Sequence, residues 1–241
     1  MTLTTEQMVR QLYDKDQIET AMAKHVWYHA ASMHNEELDD IWVSEHPDPH
    51  FAQNHGYYVE SLRATYGELN LKMQREQLEW LHTANPDVEV SEENLRAGLF
   101  QVHPLTTQII EVAGDGQTAK GVWYTPGVVG GAGPSGQIDG FWIWERYGVD
   151  FAKENGEWKI WHLHTYTDLM FPVGGGWPDG SLSSPTGLGV GGQDDEGERR
   201  AEIPKPDREE ITYHQYSYKQ VPQTLPRLPE PYYTFSETFS Y

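Results

Sequence analysis

Two turn signals in the second half of the chain constrain its fold more than any other feature. Gly114-Asp115-Gly116 and Asn155-Gly156 each interrupt a run rich in β-branched and aromatic residues, and these residue types accept the backbone of a tight hairpin turn. Leu99 to Val112 and Thr118 to Val129 therefore read as one antiparallel pair. Ile138 to Lys153 and Glu157 to Leu169 read as a second, and the glycine-rich stretch from Gly130 to Gly136 as the loop between the pairs.

The first half has a helical pattern. Thr5 to Met33 contains no Gly or Pro, and Ala21, Met22, His25, His29 and Met33 recur at three- and four-residue steps. Glu36 to Trp42 reads as a short acidic helix with Leu38, Ile41 and Trp42 inward, ended by Pro47 and Pro49. An extended stretch through Phe51 leads to a long helix predicted from about Tyr58 to Ala84, with Leu62, Tyr66, Leu69, Met73 and Trp80 on one stripe. Helices followed by hairpins give an α+β class: helices packed in a curved antiparallel sheet. After Phe171-Pro172 the composition turns to Gly, Pro, Ser and charge. The expected division is a pocket-forming domain over 1–175 and an extended arm over 176–241. Tyr213, Tyr216, Tyr218, Tyr232, Tyr233 and Phe235 predict that the arm docks, on its own subunit, on a neighbour, or over the pocket mouth.

Seventeen basic residues against 37 acidic ones leave a charge of −20, which repels phosphate backbones and anionic lipid, so neither nucleic acid nor membrane is an expected partner. No run approaches the ~18 apolar residues of a membrane span, and Met1 to Gln7 lacks the basic start and apolar stretch of a signal peptide, so a cytoplasmic location is expected. With no cysteine, disulfides, thiolate metal sites and a cysteine nucleophile are excluded. His25-x-x-x-His29 and His162-x-His164 have metal-ligand spacing, yet the helical pair lies on an apolar face with no carboxylate beside it on that helix. The expectation is no metal.

Gly114 to Trp123 and Asp150 to His164, with their turn glycines and the Trp158-Lys159-Ile160 alternation, resemble the SnoaL-like branch of the nuclear-transport-factor-2-like superfamily, over roughly residues 5–172. The resemblance implies a cone-shaped α+β barrel. It also implies cofactor-free proton transfer on a hydrophobic ring compound, since relatives include scytalone and bile-acid dehydratases, ketosteroid isomerases and a diarylpropane deformylating lyase. A homo-oligomer, trimer or dimer, is the family habit. The function expected is a lyase of dehydratase or deformylase type acting on an aromatic or polycyclic small molecule. The alternatives are a double-bond isomerase and a non-catalytic ligand-binding or oligomerisation module.

The same resemblance nominates residues. His103 matches the catalytic histidine of the dehydratases, and a histidine titrating near ~6.5 can act as acid or base at neutral pH. Tyr28 matches an active-site tyrosine that polarises a substrate oxygen. Where several relatives carry an aspartate this chain has His34-Asn35, which makes His34 a second acid-base candidate. The second sheet position of the dehydratases falls on Trp123, expected to pack against a substrate ring. His50 and His55 lie where ketosteroid isomerases carry their base, and Tyr58 joins them as an expected substrate contact.

On the last strand, period two puts Trp158, Ile160, His162, His164, Tyr166 and Asp168 on one face and Lys159, Trp161, Leu163, Thr165 and Thr167 on the other. If the first face lines the pocket, His164 and Asp168 form an imidazole-carboxylate pair there; if the second does, they belong to an interface. Arg146, on the neighbouring strand, is a candidate to hold an anionic group, with a plain salt bridge as the other reading.

Overall fold

The computed structural model describes residues 4–177, 204–210 and 212–241. Helix α1, Thr5–Ala30, starts in a capping box: the Thr4 hydroxyl accepts the Gln7 N–H at 3.2 Å and the Gln7 side chain accepts the Thr4 N–H at 2.9 Å. It buries Ile18, Ala21, Met22 and His25. Ser32, in the left-handed region at φ 54°, turns the chain into α2, His34–Asp40.

Strands β1, His50–Gln53, and β2, Gly56–Tyr58, form a small hairpin. Tyr58 was expected to begin a helix; it is instead a strand residue with a fully buried ring, as suits an aromatic pair following Gly56. The helix begins five residues later as a π-helical turn, Arg63–Glu68, that runs into α3, Leu69–Ala84.

The strand predicted over Leu99 to Val112 is two strands, β3, Phe100–Val102, and β4, Thr106–Val112, which pair in succession with one edge of β5, Thr118–Ala132. Pro104 has no N–H to give the ladder, so pairing lapses at His103-Pro104-Leu105. The remaining strands are β6, Ile138–Glu154, β7, Glu157–Pro172, and the short β8, Arg208–Glu209. Asn155 at φ 52° and Gly156 at φ 86° make the β6–β7 turn that this dipeptide favours.

Sheet order is β3-β5-β6-β7-β1-β2-β8, with β4 also on β5. The cone-shaped α+β plan is present, but the sheet is mixed rather than wholly antiparallel, because β1 runs parallel to β7 with Phe51 beside Leu163 and Gln53 beside Thr165. It also stays open, between β3 and β4 at one edge and β8 at the other. One core joins helix residues Ile18, Met22, Leu38 and Ile41 to sheet residues Phe51, Trp123, Val149, Phe151 and Ile160.

Two β-bulges on β7 decide which residues face the helices. Register with β6 shifts between Asp150 and Phe151, leaving Trp161 unpaired, and again between Trp144 and Glu145, leaving Asp168 unpaired. Each extra residue reverses the alternation. Trp158 and Ile160 face inward, then Leu163 and Thr165, then Met170. A single face for 158 to 168 was the expectation, and the bulges overturn it.

The outer face of the sheet carries the arm. Asp207 accepts from the Val59 and Ser61 N–H groups, Tyr213 donates its hydroxyl to Asp168, and the Gln223 carbonyl accepts from Arg146. Beneath its end lies a buried polar knot. Asp150 accepts from Lys120 Nζ at 2.5 Å, His162 Nδ1 at 2.8 Å and the Tyr241 N–H at 2.9 Å. The rings of Phe235, Phe239 and Tyr241 surround the Lys120 ammonium.

Candidate active site

Between the helices and the concave face of the sheet lies a cavity of about 440 Å³. Its inner end is polar, with His25, His29, His34, Tyr66, His103, Glu145 and Tyr147. Its walls are apolar, with Met73, Trp80, Phe141, Ile143 and Met170, and exposed Pro134 and Asp139 mark the outer end. That size suits a small ring compound.

The best-defined pair is His25 with Glu37. The Nδ1 of His25, on α1, donates across 2.9 Å to Glu37 Oε1, on α2. The same carboxylate accepts the Trp42 indole N–H at 3.0 Å and the Tyr66 hydroxyl at 2.9 Å. The π-helical turn is what brings Tyr66 there. With Nδ1 committed to Glu37, Nε2 is the nitrogen left for the cavity that the ring lines. Burial and the Glu37 charge hold the Tyr66 phenol protonated, well above its usual range.

The second pair is His103 with Glu145. His103 follows Gln101 by two residues on the cavity side, with its ring 3.4 Å from Glu145 Oε2 but not aligned for a hydrogen bond. Glu145 accepts the Thr167 hydroxyl at 2.8 Å and the more distant Tyr147 hydroxyl at 3.4 Å. Burial pushes its carboxyl up to about 7. Burial, with the neighbouring His25, pushes the His103 ring down to about 4. Near neutral pH the imidazole is uncharged and the acid holds its proton in a large fraction of molecules.

Two further imidazoles complete the inner end. His34 Nε2 and His29 Nδ1 are 3.1 Å apart, and the rings of His29 and His103 meet edge to face at 5.0 Å. Burial lowers both: His34 to about 4, and His29 well below the usual range with His34 and His103 adding to the effect. Among the described residues, no three His, Asp or Glu side chains converge as a metal site requires.

Of the residues nominated from sequence, His103 and His34 line this cavity and the others do not. Tyr28 turns away from it and donates its hydroxyl to Asp40. Trp123 is sealed in the core, edge-on to Phe151, and donates to Gln108. Tyr58 is core as well. His50 stacks on His162 under the arm and donates to the Tyr241 carbonyl, and His55 bonds to the Tyr213 carbonyl. The His164–Asp168 pair, expected only if its face lined the pocket, does not form: both lie on the outer face, where His164 donates to the Asn54 carbonyl and Asp168 pairs with Arg146. Arg146 is thus a salt-bridge residue.

The residues that sequence reasoning missed are Glu37, Glu145, Tyr66 and Tyr147, together with His25 and His29, which it weighed only as a metal pair. One signal was readable for Glu37. It stands three residues after His34 and four before Ile41, on the inward stripe of a short helix where a carboxylate is costly without partners.

Comparison with known proteins agrees with this architecture. The family model for the SnoaL-like domain matches residues 10–164. Among solved structures, LinA is 13% identical with a TM-score of 0.50, over 74% of this chain and 99% of its own. The hexachlorocyclohexane dehydrochlorinase LinA-type3 from Novosphingobium barchaimii is 13% identical, with a TM-score of 0.47 over 70% of this chain and 95% of its own. A nuclear-transport-factor-2-like protein with a cystatin-like fold from Novosphingobium aromaticivorans is 16% identical, with a TM-score of 0.39 over 66% of this chain and 85% of its own. No curated protein sequence matches the chain. The family match spans well over half of the residues and coincides with the helices and sheet that enclose the cavity, so the chain belongs to the SnoaL-like domain family.

Proposed function

We propose that the protein is a cofactor-independent lyase of dehydratase type, acting by general acid-base catalysis on a hydrophobic aromatic or polycyclic small molecule. The observation that carries this reading is the pairing of an oriented base with a protonated acid in one cavity with apolar walls. His25, held by Glu37, takes a proton from a carbon of the substrate through Nε2. The electrons of that C–H bond form the new double bond, the adjacent C–O bond breaks, and Glu145 gives its proton to the departing hydroxyl, which leaves as water. His103 stands beside Glu145 as an uncharged imidazole and assists the proton's return. Residues 1–175 form the catalytic unit in this reading, and 204–241 brace its outer wall.

Two features favour elimination over silent ligand binding. The titratable groups lie within contact of one another at the inner end, and their environments push Glu145 up and His103 down. The experiment is turnover of hydroxylated ring compounds by the wild type, His25→Asn and Glu145→Gln, each checked for folding. Loss of the alkene product in both variants is expected. Undiminished turnover in either would sink its assigned role.

A further inference from the structure

The inner end of the cavity holds an imidazole to which the reaction above gives no part. His29 follows His25 by one turn of α1, and the two rings stack with centroids 5.8 Å apart. Its Nδ1 lies 3.1 Å from Nε2 of His34, the first residue of α2. Its Nε2 is bonded to no described residue, and His29 is only partly buried in the cavity wall that it helps to form.

One proton lies between His29 and His34, and the far nitrogen of His34 decides which ring owns it. Both rings are uncharged at neutral pH, since burial lowers His34 to about 4 and His29 well below the usual range. His34 Nδ1 is sealed in the protein with no partner. In folded proteins a buried N–H without an acceptor is a rarer orphan than a buried acceptor left bare. The less costly arrangement therefore puts the His34 proton on Nε2, donating to His29 Nδ1. That leaves the proton of His29 on Nε2, the nitrogen with no partner in the protein.

We infer that His29 is a further catalytic residue, whose Nε2–H donates to a substrate carbonyl oxygen beside the carbon that His25 deprotonates, with His34 as its positioning residue. The inference rests on the dehydratase reading and on the same cavity. Imidazole is a weak base, so a C–H bond yields to it only where the electron pair can spread onto an electronegative atom. As His25 takes the proton, the pair moves to the carbonyl oxygen, and the His29 hydrogen bond strengthens as charge builds there. His29 keeps its own proton, the role that a neutral imidazole fills when it polarises a carbonyl. The pair then returns to form the new double bond, the adjacent C–O bond breaks, and the hydroxyl leaves as water with the proton of Glu145. Rings 5.8 Å apart can reach, from either side, a carbon and a carbonyl oxygen two bonds away.

The test is nitrogen NMR of the protein carrying labelled histidine, near neutral pH, titrated with 2-acetylnaphthalene, whose carbonyl only accepts, and with 2-isopropylnaphthalene. His29 is expected to hold its proton on Nε2, and that signal should shift with the ketone far more than with the hydrocarbon. His29→Leu should weaken binding of the ketone roughly tenfold and leave the hydrocarbon unchanged, whereas His29→Gln, which keeps an N–H at similar reach, should restore most of the difference. His34→Leu should turn the His29 spectrum into a mixture of the two tautomers. Should a leucine variant fail to fold, the wild-type spectra alone decide the matter. A proton on His29 Nδ1, a charged His29, or a failure of the ketone to bind or to shift His29 would overturn the inference. One unchanged His29 tautomer in His34→Leu would overturn the part given to His34. A His29 donor in a protein with no lyase turnover supports the inferred contact and overturns the reaction; turnover undiminished in His29→Leu does the reverse.

Discussion

The Nδ1 of His25 and the Oε1 of Glu37 are 2.9 Å apart, a contact that ties the long first helix to a seven-residue helix beneath the cavity. Glu37 is fully buried and receives three donors, from His25, Trp42 and Tyr66. Replacing it with Gln removes the charge that orients the imidazole while nearly preserving volume. The expected result is a fall in kcat of roughly 10- to 100-fold with little change in KM, as for other residues that act by positioning a histidine. His25→Asn should cost more, about 10²- to 10⁴-fold. Steady-state kinetics on both variants checks the order.

Glu145 predicts the alkaline limb of the rate. Its carboxyl, pushed up to about 7 by burial, must be protonated to donate, so kcat should fall as pH rises through that value. Glu145→Gln should remove the limb together with most of the rate. A wild-type rate still climbing well above neutral pH would exclude Glu145 as the acid.

Acid should destabilise the fold by charging histidines that are buried neutral. Burial holds His34, His50 and His103 at about 4 and His164 at about 3, against ~6.5 in an unfolded chain. Between those values the unfolded state binds more protons, so stability falls as pH drops from about 6.5 toward 4. Urea midpoints measured across that range should decline steadily. Glu145 contributes the opposite slope above its unfolded value near ~4.5, which softens the decline but involves one group against five, since burial lowers His29 as well.

The knot under the arm yields a second stability prediction. Lys120 and Asp150 are both fully buried and 2.5 Å apart, with His162 on the same carboxylate. Asp150→Ala strands the ammonium, and the expected loss is about 3–5 kcal/mol by denaturant unfolding. Lys120→Met with Asp150→Leu should recover much of it, since no buried charge is then left alone. Limited proteolysis should cut the arm sooner in the single variant than in the double.

The fold was legible because turn chemistry and alternation are local. Asn155-Gly156 and the two hairpins follow from residues a few positions apart. The site was less legible because three non-local events build it. Glu145 reaches His103 only because β6 and the end of β3 come together in the fold. The bulges at Trp161 and Asp168 reverse the face of β7, and nothing in an alternating sequence marks an extra residue. Glu37 meets His25 only because two helices pack, and Tyr28, expected to polarise a substrate oxygen, donates to Asp40 instead.

The bulges also set rules for anyone who would reshape this protein. Between them, odd-numbered positions of β7 belong to the cavity: Leu163 and Thr165 line it, and Thr167 grips Glu145. Even-numbered ones, His162, His164 and Tyr166, belong to the arm side. A designer enlarging the substrate space can therefore mutate every second residue of this segment without touching the strap behind it. Inserting or deleting one residue there would exchange the two surfaces, putting imidazoles where the substrate lies and threonines under the arm.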